Sequence, residues 1–278
     1  MRGRRAGRGD ARGAAQLAKP WSWRPRAVRA VLIDLHCHIL PALDDGAIDL
    51  EDSVGMARQA ESDGIDVVCA TPHIRSDHDV RVDQLEGRVS AVNEELERLG
   101  IGVRVTRGGE IAEEAVGRTD DDQLGELSLG RNGLWLLIEP RPGPLGDPTV
   151  ETVEQLAERG FRCVIAHPER HPGERFREQL ETLVARGALI QVTAALIAEG
   201  PAAPFLLELA AEGLVHLLGS DAHSSRAGRP VRLSEGRDRL SEVERLKPYL
   251  GWIVIDGPAA ILRGEPVIPP FASVPPVS

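Results

Sequence analysis

A chain of 278 residues with 42% apolar and only 3% aromatic content can bury a large core, and that core must be aliphatic. A formal net charge of −10 argues against general nucleic-acid binding, and no apolar run is long enough to span a membrane. Cys37, Cys69 and Cys163 are odd in number and widely spaced, which excludes a disulfide framework and points to a reducing, cytoplasmic setting.

The charge is uneven along the chain. Residues 1–30 carry eight arginines and one lysine against the single acid Asp10, leaving a net charge of −18 on the remainder. This Gly- and Ala-rich stretch lacks the apolar segment of an export signal and reads as a disordered basic tail. Val31 to Leu35 then forms a first buried strand, with His36 and His38 at its end. Residues two apart in an extended chain point to the same side, so both imidazoles converge while Cys37 faces away as a small buried residue. A turn rich in Pro, Asp and Gly brings Asp44 and Asp45 back over them.

A helix follows over Leu50 to Ser62, capped by Asp49 and ended by Gly64. Ile65 to Ala70 is a second strand running into Thr71-Pro72-His73. Leu85, Val89, Val92, Leu96 and Leu99 mark one face of a long helix closed by Gly100. Gly102 to Thr106 is a third strand, ending at Gly108-Gly109-Glu110, and residues 112–132 read as a short helix and a loop. Leu134 to Ile138 is the fourth strand, ending at Glu139. Asp147-Pro148 opens the next helix, and Phe161 to Ala166 is a strand ending at His167-Pro168. A helix around Leu180, a strand over Ala188 to Val192 and a helix around Leu209 come next. Leu214 to Leu218 is the seventh strand, ending at Ser220-Asp221-Ala222-His223, with His216 inside it as a core group and His78 elsewhere as a solvated one. Leu240, Val243 and Leu246 mark a last amphipathic helix. Trp252 to Ile255 reads as a short extra strand, and residues 266–278 as a loose Pro-rich tail.

Seven strand–helix units without a change of composition define one α/β domain over residues 31–265. A period of about 25–35 residues fits a barrel, with an open doubly wound sheet as the alternative. The polar residues decide between them. His36, His38, His73, Glu110, Glu139, His167, Asp221 and His223 follow the C-terminal ends of six different strands, which a barrel gathers at one rim and an open sheet scatters. Imidazole and carboxylate together suit zinc, manganese or iron, and the set exceeds what one ion needs. Two or three ions fit it, with a carboxylate such as Glu110 able to bridge.

Leu35-His36-Cys37-His38 with Asp44-Asp45-Gly46, Ala70-Thr71-Pro72-His73, Gly109-Glu110-Ile111 and Leu137-Ile138-Glu139 resemble the PHP (polymerase and histidinol phosphatase) superfamily. So do Ala166-His167-Pro168-Glu169-Arg170, Gln191-Val192-Thr193-Ala194 and Ser220-Asp221-Ala222-His223. Within it, the chain is most similar to the bacterial tyrosine-protein phosphatases of capsular and exopolysaccharide gene clusters. The resemblance implies a distorted seven-stranded (β/α) barrel, a trinuclear and usually manganese-dependent centre, and a phosphotyrosine-bearing autokinase of polysaccharide export as substrate. It implies His36, His38, Glu110 and Asp221 on a first ion, Glu110, Glu139 and His167 on a second, and Asp45, His73 and His223 on a third. Arg170 and Arg229 match arginines expected to bind the substrate phosphate. The chain departs from the family at Arg229-Pro230-Val231, at Gly133-Leu134-Trp135 and at Ile74-Arg75-Ser76-Asp77.

The chemistry expected of such a set is phosphomonoester hydrolysis: ions neutralise the dianion and activate water, and arginine forks add bidentate donors. No Cys-x5-Arg phosphatase loop follows Cys163. The residues leave other readings open: a phosphatase of histidinol phosphate or another small monoester, an amidohydrolase-like hydrolase, and a noncatalytic metal-bound regulatory module. Oligomeric state is left open as well.

Overall fold

The computed structural model describes residues 32–271, and the basic segment 1–30 lies outside them. Nine parallel strand segments form the centre: β1 (Leu32–Cys37), β2 (Ile65–Ala70), β3 (His73–Ile74), β4 (Arg104–Arg107), β5 (Glu110–Ala112), β6 (Trp135–Glu139), β7 (Arg162–Ala166), β8 (Leu189–Thr193) and β9 (Leu217–Gly219). They pair in the orders β1-β2-β4 and β3-β5-β6-β7-β8-β9. The second and third barrel strands are each broken in two, at Thr71-Pro72 and at Gly108-Gly109. Pro72 has no amide proton for the ladder, yet the pairing resumes beyond it, where Glu110 N donates to Pro72 O at 3.1 Å. His73 and Glu110, expected just past their strands, therefore lie inside the short upper segments β3 and β5 and pair with each other. The barrel closes where Asp221 N donates to His36 O at 2.8 Å and His38 N donates to Ala222 O at 2.9 Å. The result is a distorted seven-stranded barrel rather than an open sheet.

The helices lie outside: α1 (Leu50–Asp63), α2 (Val82–Arg98), α3 (Asp121–Leu127), α4 (Asp147–Glu158), α5 (Phe176–Ala185), α6 (Ala194–Ala198), α7 (Ala203–Glu212), α8 (Ser234–Leu240) and α9 (Gly257–Leu262). Local chemistry sets the bounds of α1. The Asp49 carboxylate accepts from Asp52 N at 2.7 Å, and Gly64 ends the helix at φ 87°, which a side chain would resist. The buried faces of α1, α2, α4, α5 and α7 cover the strands in one aliphatic layer. A second cluster fills the lower barrel: Ile33, Leu35, Val67, Leu137, Val164, Leu189 and Leu217, with Ile261 and Leu262 beneath.

Three expectations need correction. Trp252–Asp256 is a helical turn of π type, not a strand. Its β-branched run suits a strand, but it pairs with none of the nine strands and packs beneath β1 and β9 instead. The last amphipathic helix is two pieces, α8 and a 3-10 segment Glu244–Tyr249. The Pro-rich segment is packed as far as Phe271, since Val267 and Phe271 are buried in the core. No helix among the described residues is long and apolar enough to cross a membrane.

Candidate metal centre

A register shift in β1 builds the first part of the site. Between Asp34 and Cys37 the strand advances three residues while its partner β2 advances two, from Val68 to Ala70. Ile33 and Leu35 therefore face the lower barrel core, and past this bulge His36 and His38 face the rim, re-aimed by the extra residue. Cys37 faces the outer layer with no exposure, and burial pushes its thiol well above the ordinary value. The two imidazole Nε2 atoms stand 3.3 Å apart. Their other nitrogens are tied: His36 Nδ1 to Gln191 Oε1 at 2.8 Å and His38 Nδ1 to Asp44 Oδ2 at 2.8 Å. With Nδ1–H donating to each acceptor, Nε2 is the nitrogen that faces the cluster and would ligate a cation, the arrangement of histidine ligands.

Glu110 sits at the centre with no exposure. Its carboxylate lies 3.3 Å from His36 Nε2, 3.2 Å from His38 Nε2, 3.0 Å from His73 Nδ1 and 2.8 Å from His167 Nε2. His73 Nδ1 is also 3.5 Å from Glu139. Asp45 Oδ1 lies 3.5 Å from both His73 Nε2 and His223 Nε2. Asp221 Oδ1 is 3.4 Å from His36 Nε2 and 3.5 Å from His38 Nε2. Arg170 and Arg229 both donate to Asp221 Oδ2, the latter at 2.9 Å. His167 and Asp221 hold positive φ angles of 30° and 48°, conformations that cost a non-glycine residue energy.

Donor atoms converge in four groups, each within 4.8 Å: His38, Asp45, His73 and His223; His36, His38 and Glu110; His36, His167 and Asp221; His73, Glu110 and Glu139. All nine expected ligands appear among them. His167 falls with His36 and Asp221 and touches Glu110, while Glu139 groups with His73 and Glu110. The site fits divalent cations on its own chemistry. Glu110 Oε2, Asp221 Oδ1, His73 Nδ1 and His167 Nδ1 are buried without a hydrogen bond of acceptable geometry, a cost of about 1–3 kcal/mol each that a cation would remove. Protons occupy part of that role in the bare cluster. Burial disfavours the His38 imidazolium, but its bonds to Asp44 and Glu110 raise it to about 10. Burial likewise opposes charge on His73, yet Glu110 and Glu139 raise it to about 9. Against burial, His36, His167 and His38 hold Glu110 well below the usual carboxylate range. His223 is pushed down to about 3 by burial and by the charge of His38.

Several residues of the site carried no assigned role in the sequence. Asp44 Oδ2 also accepts from His73 N at 2.9 Å, and Asp44 Oδ1 accepts from Gly46 N at 3.0 Å, so one carboxylate ties β1, β3 and the Asp45 turn together. Gly46 has to be small, because a Cβ there would stand 2.3 Å from His38 O. His78, expected to be solvated, is half-buried and stacks on His73 with ring centres 5.5 Å apart. His216 is a buried core group, as its position indicates. Arg75 reaches the cluster from the β3 side, with Nη1 3.5 Å from Glu139 Oε2. The Asp44-Asp45 pair was visible as a turn; Gln191 and Arg75 gave no spacing signal.

A closed parallel barrel whose carboxyl rim is packed with histidine and carboxylate donors, in groups able to hold divalent ions, is the architecture of a metal-dependent hydrolase. Residues 32–263 match the profile of the capsular polysaccharide synthesis family CpsB/CapC. The chain belongs to that family, within the PHP superfamily. It is 34% identical over 201 residues to the tyrosine-protein phosphatase YwqE of Bacillus subtilis, covering 69% of this chain and 78% of that one. It is 25% identical over 222 residues to the tyrosine-protein phosphatase CpsB of Streptococcus agalactiae, covering 73% and 87%. A crystal structure from the study of YwqE of Bacillus subtilis and CpsB of Streptococcus pneumoniae, described as metal-dependent tyrosine phosphatases, superposes with a TM-score of 0.73 and 31% identity, over 85% of this chain and 96% of that one. A β-aspartyl dipeptidase from Fervidobacterium islandicum, at 16% identity and a TM-score of 0.54, shares the barrel alone.

Proposed function

We propose that this chain is a manganese-dependent phosphomonoesterase acting on protein phosphotyrosine, with two to three ions bound at the rim. Iron or zinc also suits the nitrogen and oxygen donors, and availability decides among them. The observation that carries the reading is the packing of four donor groups around one buried glutamate, with two arginines converging on Asp221 beside them. In this reading His36, His38, Glu110 and Asp221 would hold one ion, Glu110, Glu139 and His167 a second, and Asp45, His73 and His223 a third.

Divalent ions held by these residues would supply charge neutralisation for the phosphate dianion and Lewis-acid activation of a water nucleophile. The protein does the rest. Gln191 and Asp44 hold the tautomers of His36 and His38. Arg170 and Arg229 present guanidinium forks beside Asp221, where a phosphate can take their hydrogen bonds once Asp221 is committed to a cation. A cysteinyl-phosphate route is disfavoured, since Cys163 is buried and burial pushes its thiol up to about 12.

The substrate we infer is the phosphotyrosyl tail of a tyrosine autokinase that regulates polysaccharide export, met in the cytoplasm. Three free buried cysteines agree with a reducing compartment. A flexible tail needs to bring only its terminal phosphate to the rim, whereas nucleic acids would meet the acidic surface with many. Steady-state rates on phosphotyrosyl peptide, phosphoseryl peptide, histidinol phosphate and single-stranded DNA, with manganese, iron or zinc added back, test this. Phosphotyrosyl peptide should be turned over fastest. A hundredfold preference for histidinol phosphate would keep the phosphatase chemistry and end the kinase assignment.

A further inference from the structure

One cavity reaches the metal cluster from the β3 and β6 side. It has a volume of about 550 Å³, and its lining includes Glu139 and Arg170, which also contact the donor cluster. Arg75, Asp77 and Glu114 line it together with Pro140, Pro142 and Gly143. No Phe, Tyr or Trp lines it. We propose that this cleft is the subsite for the leaving group, shaped for a flat aryl ring that packs between the Arg75 guanidinium and the proline wall. The proposal rests on the phosphatase reading and adds the part of the molecule that distinguishes aryl from alkyl phosphates.

Three features make the cleft a built site. Its proline wall is braced from behind: Glu113, whose side chain is fully buried, accepts from Arg141 Nε at 2.6 Å and from Thr149 Oγ1 at 2.7 Å. The same loop is tied to the next one, where Leu145 N donates to His171 O at 2.9 Å and His171 Nδ1 meets Gly143 O at 3.0 Å. A wall fixed at both ends loses little entropy when a ligand arrives. The second feature is Arg75. Its guanidinium is held by its edges, with Nε on Asp77 at 2.8 Å, Nη1 on Glu139 at 3.5 Å and Nη2 3.5 Å from His78. Edge-bound guanidinium leaves its flat faces for stacking, and Arg is the cation best suited to an aromatic face.

Continuity with the cluster is the third. Glu139 lies 3.5 Å from His73 Nδ1 and Arg170 bonds Asp221, so the cleft shares its lining with the donor cluster where a phosphate would bind. The short side chain of phosphoserine would leave the space unfilled, while a tyrosyl ring would bury apolar surface against Pro140 and Pro142.

Calorimetric binding of phenylphosphonate and methylphosphonate to the manganese-loaded protein tests the subsite without turnover, and p-nitrophenyl phosphate hydrolysis on the same sample tests the phosphatase reading. The wild type should bind the phenyl compound about tenfold more tightly. Arg75→Gln and Pro142→Gly should each cut that preference to about two- or threefold. Equal binding of both compounds by the wild type, or full preference in both variants, would overturn the subsite while leaving the phosphatase reading standing. A protein that neither hydrolyses the ester nor binds either phosphonate would overturn both.

Discussion

The same seven barrel strands fill their lower and upper interiors with opposite materials. Along β6 the inward positions run Trp135, Leu137, then Glu139; along β8 they run Leu189, Gln191, then Thr193. Below, apolar side chains close on one another and on Ile261 and Leu262. Above, His36, His38, Glu110, His167 and Asp221 are as deeply buried, yet several of their polar atoms lack hydrogen bonds. Burial without pairing is costly, and a folded protein keeps it only where something else completes the group. The lower half therefore contributes stability and the upper half binding, and the β1 bulge is the point where one becomes the other.

Substitutions in the two halves should separate those roles. Glu110→Gln, at the centre of the upper cluster, should lower metal content and reduce turnover by roughly three orders of magnitude while circular dichroism stays native. Full metal occupancy with near-normal rate would remove its bridging role. Leu137→Ala, one layer below, should do the reverse: about 2–5 kcal/mol less stability in urea, with metal still bound. Loss of metal at unchanged stability would dissolve the division between the halves.

Two smaller effects sharpen it. Burial lowers His216 to about 4 from an ordinary value of 6.5. The unfolded chain thus takes up this proton first as the pH falls, so stability is intact above pH 6.5 and is lost between about 6.5 and 4. Between pH 7 and 4.5 the wild type should lose about 2–3 kcal/mol more than His216→Gln in denaturant titrations. Equal losses would mean that His216 is not held neutral by the core. Asp44→Asn keeps an acceptor for His38 but loses the charge. Metal affinity should fall about 10–100-fold by competition with a chelating dye, and an unchanged affinity would reduce Asp44 to a turn residue.

Much of this was legible in the sequence because metal chemistry restricts residue type and strands restrict spacing. His36-x-His38 after an apolar run, and lone His, Glu or Asp residues at other strand ends, gave both the barrel and the rim. What stayed hidden depends on long-range packing. The split of two strands at Pro72 and at Gly108-Gly109 is a property of pairing across neighbours, not of either segment. Trp252 to Ile255 has strand-like composition, yet its packing beneath β1 and β9 makes it a helical turn. Gln191 stands in a motif that resembles the superfamily, but its contact with His36 spans 155 positions of chain and that of Arg75 with Glu139 spans 64, so neither contact leaves a local pattern.

The claim that the upper half is a metal centre is tested most directly by elemental analysis of the protein purified without chelators. The account predicts two to three transition-metal ions per chain, bound through the donor groups around Glu110. A folded, pure protein that carries no stoichiometric metal, and takes up none on dialysis against manganese, iron or zinc, would contradict it.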